Sequence, residues 1–223
     1  MTPAISSWPV ATCGIACADE LYKAYTAAFN CDTTSAFGSV IASNWEVDAA
    51  TVEAMGDLFI ECIVAPGFSD EAKDMLSHRK NCRLLEIEDP AATTGPAYEY
   101  RSITGGILRQ TVDRGDPASA RWRVVTQAQP SDDEMRVLQF AWKACQHVRS
   151  NAIVIARESR GVLATVGIGG GQPNRVDCVK IAAKRAGRKA RNAVLASDAF
   201  FPFPDGIHEA AKARVRAIVQ PGG

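Results

Sequence analysis

Asn151 stands where the polar end of "QHVRSN" meets the apolar run "AIVIA". An asparagine amide there can donate to an oxyanion and accept from an amine, as acyl transfer requires, although a turn residue opening a strand would look the same. His147, four residues earlier, could serve as a general base near neutral pH or pack half-buried on a helix. In "VGIGGGQPNR" a dense glycine run precedes a helical pattern, so backbone amides could approach an anion or carbonyl oxygen; a structural hairpin turn explains it about equally well. In "SDAFFPFPDG" two prolines restrict the chain around Phe200, Phe201 and Phe203, preorganising an aromatic wall that ends at Asp205. Core packing is the plain alternative for the rings, and an N-cap role for Asp205.

Two further groups read more plainly. Cys13 and Cys17 form a C-x₃-C pair with no matching histidine or cysteine partners, so no metal is expected and the seven scattered cysteines read as reduced thiols. The run "KRAGRKAR" from Lys184 reads as a solvated helix face and C-terminus.

The elements that must position these residues alternate between strand and helix. "ADELYKAYTAAF" puts Leu21, Tyr25 and Phe29 on one helical face, and "FGSVIAS" follows as a strand. "DAATVEAMGDLFIE" carries Val52, Met55 and Phe59 at helical spacing before the strand "CIVAP". Ser69 caps "SDEAKDMLSHRK", and "RLLEI" is the next strand. "EDPAATTGP" (Glu88 to Pro96) reads as a linker, and "YRSITGGILRQT" as a strand segment whose Gly105-Gly106 pair marks a bulge or close backbone approach. Ser131 and Glu134 form a capping box that opens the helix "SDDEMRVLQFAWKACQHV". "NAIVIARE", "GVLATVGIG", the helix "NRVDCVKIAAKRAGRKA", the strand "NAVLAS", a helix around "GIHEAAKARV" and "RAIVQP" complete the alternation.

The chain has 223 residues, 47% of them hydrophobic, and a formal net charge of zero. A core is affordable without staples, and no global field draws the protein to nucleic acid or an anionic membrane. With no long apolar run and no signal-peptide pattern, the sequence reads as a cytoplasmic protein acting on a small molecule.

In order, "DTTSAFGSVIA", "ITGGILRQ", "FAWKACQHVRSNAIVIA", "TVGIGGGQPNRVDCVKIAAKRAG" and "VLASDAFFPFPDGI" resemble the transformylase half of a bifunctional purine-biosynthesis enzyme family. That family joins 5-aminoimidazole-4-carboxamide ribonucleotide (AICAR) formyltransferase to IMP cyclohydrolase. The resemblance runs from about Cys13 to the last residue, and nothing resembles the cyclohydrolase half. It implies a cytidine-deaminase-like, three-layer α/β/α fold in two similar subdomains, residues 1–95 and 131–223, with a connecting segment at 96–130. It also implies a homodimer with sites between protomers, and 10-formyltetrahydrofolate as formyl donor.

By the same resemblance Ser35, Phe37 and Gly38 line the substrate pocket, and Asn151 stands beside the transfer centre. Val166, Gly167, Phe200, Pro202 and Asp205 face the folate. Where the family carries a Lys-His pair before a Pro-Cys-Gly segment, this chain has Trp8 and Pro9, which exchange no protons. General acid–base groups are worth roughly 10²–10⁴-fold in rate. Formyl or acyl transfer, or a related cyclisation, on an altered substrate with His147 as a substitute base is therefore the leading expectation. A non-catalytic ligand-binding or partner subunit stands second, and ordinary AICAR formyl transfer third.

Overall fold

The computed structural model describes residues 2–8, 11–87, 98–117 and 119–222, with side chains from Thr12 onward. Pro9, the side chain of Trp8 and the expected linker Glu88 to Pro96 lie outside the described residues. In chain order the elements are β1 (Thr2–Trp8), β2 (Ala11–Ala18), α1 (Leu21–Phe29), β3 (Ser39–Ser43), α2 (Ala49–Met55), β4 (Ile60–Ala65), α3 (Asp70–Ser77) and β5 (Arg83–Glu86). Then come β6 (Tyr98–Ile103), β7 (Gly106–Thr111), α4 (Asp132–Gln146), β8 (Ala152–Ser159), β9 (Val162–Gly170) and α5 (Arg175–Ala186). A 3₁₀ turn (Gly187–Ala190), β10 (Val194–Ser197), α6 (Asp205–Lys212) and β11 (Ala217–Val219) close the series.

The chain divides into two compact units, Met1–Glu88 with Pro130–Gly223, and Asp89–Gln129. In the first, nine strands of the described residues form one mixed sheet in the order β11-β10-β8-β9-β2-β1-β3-β4-β5. The outer pairs β3–β4, β4–β5 and β10–β11 are parallel, and the pairs between them are antiparallel. The β8–β9 hairpin turns through Arg160 and Gly161, both at positive φ, as a two-residue turn matched to strand twist requires.

Along β8 successive buried side chains alternate between two cores. Ala152, Val154 and Ala156 join a core with Val137, Leu138 and Ala141 of α4, while Ile153 and Ile155 join another with Val179 and Ala182 of α5 and Ala210 of α6. Both faces of this part of the sheet are therefore covered by helix, which is why β8 reads as an unbroken apolar run. A further core unites Leu21 and Tyr25 of α1, Val52 and Met55 of α2, Ile63 of β4 and Leu76 of α3. Two of the expected caps are present. Ser69 Oγ accepts from Ala72 N at 3.2 Å, and the Ser131–Glu134 box is reciprocal.

Several expectations need correction. Helix α2 stops at Met55 because Gly56 takes φ +52°, so Phe59 is outside it and half-exposed rather than on its buried face. The segment expected as one bulged strand is the hairpin β6–β7, turning at Thr104-Gly105 with Gly105 at φ +81°. Asp205 is the first residue of α6, not its cap, and its Oδ1 accepts from Gly206 N at 2.7 Å. Strands β1 and β2 were not anticipated, since their small residues carry no clear period.

Candidate functional site

The glycine run is mostly strand, and its small residues serve packing. A Cβ on Gly167 would sit 2.1 Å from the Ala182 carbonyl oxygen, and one on Gly169 2.1 Å from that of Cys178. These contacts seat α5 directly on β9. The seating fixes the helix start, where Asn174 caps α5 by accepting from Asp177 N at 2.8 Å and Arg175 becomes the first helical residue.

Arg175 then reaches back across the sheet ends. Its guanidinium donates to Asn151 Oδ1 at 2.7 Å, to Ser197 Oγ at 3.0 Å, and to Asp198 Oδ1. Asn151 Nδ2 donates to the carbonyls of Gln172 (2.9 Å) and Pro173 (3.2 Å), in the turn that leaves β9. Asp198 accepts from Ala152 N at 3.0 Å and from Ser150 Oγ. Three stretches distant in sequence are thus tied at one place: the start of β8, the turn after the glycines, and the head of the aromatic loop.

Arg175 and Asp198 keep 12% and 21% of their side chains exposed. Burial by itself would raise the Asp198 carboxyl, but the hydrogen bonds from Ser150, Ala152 N and Arg175 outweigh it and hold the group below its usual range. The nearby thiols are not activated. Burial pushes Cys145 up to about 12 and raises Cys178, whose Sγ donates to the Asn151 carbonyl at 3.0 Å.

The aromatic loop splits its rings. Phe201 packs toward the α5–α6 core, and its ring leaves no room for a side chain on Gly206. Phe200 and Phe203 face outward, 45% and 69% exposed, and Pro202 and Asp205 are exposed with them. Val166 and Gly167, by contrast, are buried in β9 under α5.

His147 caps the C-terminus of α4 with an exposed side chain. Its carbonyl accepts from Thr12 Oγ1 at 2.7 Å, and no hydrogen bond among the described residues joins its imidazole to the Asn151 cluster. Ser35, Phe37 and Gly38 form a separate group. Ser35 donates through its amide (3.0 Å) and hydroxyl (2.8 Å) to Asp32, which pairs with Arg185 of α5 at 3.2 Å. Gly38 takes φ +73° and donates to the Phe59 carbonyl at 2.8 Å. The Phe37 ring, 72% exposed, lies 5.3 Å from that of Phe59.

Sequence reasoning did not single out Arg175, Asp198 or Ser150. A signal existed for the first two, because an arginine in the first turn of a helix opposes the helix dipole and calls for a nearby carboxylate.

A profile described as "AICARFT/IMPCHase bienzyme" matches residues 9–185. The chain belongs to that family. Within it, the chain is 49% identical over 213 residues to the bifunctional purine biosynthesis protein PurH of Synechocystis sp., covering 95% of this chain and 40% of that protein. Against the protein of the same name from Ligilactobacillus salivarius the identity is 49% over 212 residues, 95% of this chain and 41% of the relative. The counterpart from Oceanobacillus iheyensis is 44% identical over 211 residues, 95% of this chain and 40% of the relative. The chain therefore spans about 40% of the length of the curated bienzyme relatives it matches. The Asn151 and Arg175 positions fall inside the family match, and Asp198 lies beyond it but within the 95% shared with these relatives.

Proposed function

We propose that this chain is an AICAR-transformylase-type enzyme, of cytidine-deaminase-like fold, that transfers a formyl or acyl group to a small amine other than AICAR, or closes a related ring. The observation that carries this reading is the cluster in which Arg175 joins Asn151 to Asp198, at the head of a loop presenting two outward phenylalanines and a carboxylate. An aromatic wall with a few fixed polar groups suits a flat heterocycle. The exposed Phe200, Pro202 and Asp205 fit the pterin of 10-formyltetrahydrofolate, which as co-substrate supplies the formyl group. Val166 and Gly167 act from within the sheet, setting the height of α5 and so the reach of Arg175.

In this mechanism Asn151 is oriented at both ends of its amide, and the longer bond, to the Pro173 carbonyl at 3.2 Å, is the one an incoming oxygen displaces. Arg175, paired with Asp198, holds the Asn151 oxygen and so polarises the amide whose hydrogens face a developing oxyanion. His147, exposed at the end of α4, takes the proton of the attacking amine and passes it to N10 of the folate as the bond between N10 and the formyl carbon breaks, and Ser35, Phe37 and Gly38 hold the acceptor. The working unit is a cytoplasmic homodimer, and neither a metal nor a nucleic acid takes part.

A reduced folate should bind saturably, with affinity reduced about fivefold by Phe200→Ala, the worth of one aromatic contact. Formyl transfer to AICAR should stay at background while a panel of small amines yields an acceptor. Asn151→Ala should then lower that rate about 10²-fold, and His147→Ala should lower it while His78→Ala does not. Absence of folate binding would sink the reading. One observation favours a second reading, a ligand-binding or partner subunit without catalysis: both hydrogens of the Asn151 amide are already engaged. Folate binding without turnover of any amine would select it.

A further inference from the structure

A concavity of about 330 Å³ lies in the first unit between the end of α2 and the end of α3, within the size range of small-ligand pockets. Its walls include Asp57, Phe59, Arg79, Lys80 and Asn81. Arg79 is fixed in place, because its guanidinium donates to the Leu58 carbonyl at 3.0 Å and to that of Gly56. Those bonds satisfy carbonyls left over where α2 stops, and they immobilise the cation without neutralising it. Among the described residues no carboxylate lies within ion-pair distance of Arg79 or Lys80. Among the described residues Asp57 is the lone carboxylate lining the cleft, so two cations stand against one anion. The Phe59 ring gives the cleft an apolar surface and is itself backed by Phe37.

We infer that this cleft binds a small anion carrying a flat ring, its phosphate or carboxylate on Lys80, Asn81 and the outer edge of Arg79, and its ring against Phe59. The inference goes beyond the transferase reading and does not depend on turnover. It assigns a binding role to a stretch, Arg79 to Asn81, that the Asn151 cluster does not use. An oriented, unneutralised guanidinium beside an exposed ammonium on a flexible four-carbon stem is the arrangement expected of an anion site, since the first costs little reorganisation on binding and the second adapts to the ligand.

The test uses phenyl phosphate, benzoate, inorganic phosphate and phenol as probes, followed by backbone amide and Phe59 ring resonances in NMR titrations of the whole chain. Phenyl phosphate or benzoate should shift Asn81 and Phe59 together, inorganic phosphate should shift Asn81 more weakly, and phenol should do neither. Whichever of the two ring anions binds more tightly identifies the headgroup. Lys80→Gln should weaken the ring anion about fivefold, Lys80→Arg should restore it, and raised salt should mimic the loss. These variants leave the Arg79 carbonyl bonds intact, so folding is not at stake. Equal affinity in wild type and Lys80→Gln, or shifts confined to residues elsewhere, would overturn the inference, whatever the outcome of folate titration.

Discussion

At the scale of single residues the cluster around Arg175 makes a pH prediction. The folded Asp198 carboxyl sits below the ordinary aspartate value of about 3.9, so its ionised form is favoured by folding. That stability is complete above about pH 4 and is lost as pH falls through the folded value, when the native carboxylate protonates. In Asp198→Asn the acid limb of a stability-against-pH curve should be flatter. At pH 7 the same variant should be about 2 kcal/mol less stable in urea, because Arg175 is left largely buried without its counter-charge. A curve of unchanged shape would remove Asp198 from the cluster.

The residue types in this cluster were only partly legible. Asn151 stood out because a polar amide opens an apolar strand. Arg175 and Asp198 did not, because each sits in a stretch dominated by louder neighbours, glycines in one and phenylalanines in the other. Their meeting depends on how deeply α5 sits on β9, which is a tertiary quantity that no local pattern encodes.

At the scale of elements, the close seating of α5 is the feature most exposed to test. Gly169→Ala would drive a methyl into the Cys178 carbonyl, and with backbone on both sides nothing can yield cheaply. We expect a loss of about 3 kcal/mol, the upper part of the overpacking range, read from chemical denaturation. Gly56→Ala is the comparison: its site is open and only its positive φ is strained, so about 1 kcal/mol should be lost. Equal losses would mean that the β9 glycines do not set the helix height. Elements with strong period or caps, such as α1, α4 and β8, were legible in the sequence. Strands β1 and β2 were not, because alanine, serine and glycine carry too little contrast in hydrophobicity to show alternation. The end of α2 was misplaced because apolar residues beyond Gly56 continued its spacing after the backbone had already turned.

At the scale of the whole molecule, the β6–β7 hairpin is where the proposed homodimer can be tested. Every residue of it is exposed, and Tyr98, Tyr100 and Ile107 share one face with Arg109, whose guanidinium lies 4.5 Å from the Tyr98 ring centre. A two-stranded ribbon is marginal without something packed against it. A second copy of the chain is the occupant we propose, and sedimentation should give a dimer that Ile107→Glu converts to monomer with its secondary structure intact. A monomeric wild type would refute that assembly.

The sheet itself holds a last implication. Its two halves meet where β2 pairs with β9 through Ala16↔Ala164 and Cys17↔Leu163, extended by the Thr165 hydroxyl, which accepts from Ile15 N at 3.0 Å and donates to Ile15 O at 3.2 Å. This lateral seam joins the halves directly by strand pairing, so their alignment is set by its register. A slip of one residue at the seam would turn inward-facing side chains outward on every strand beyond it.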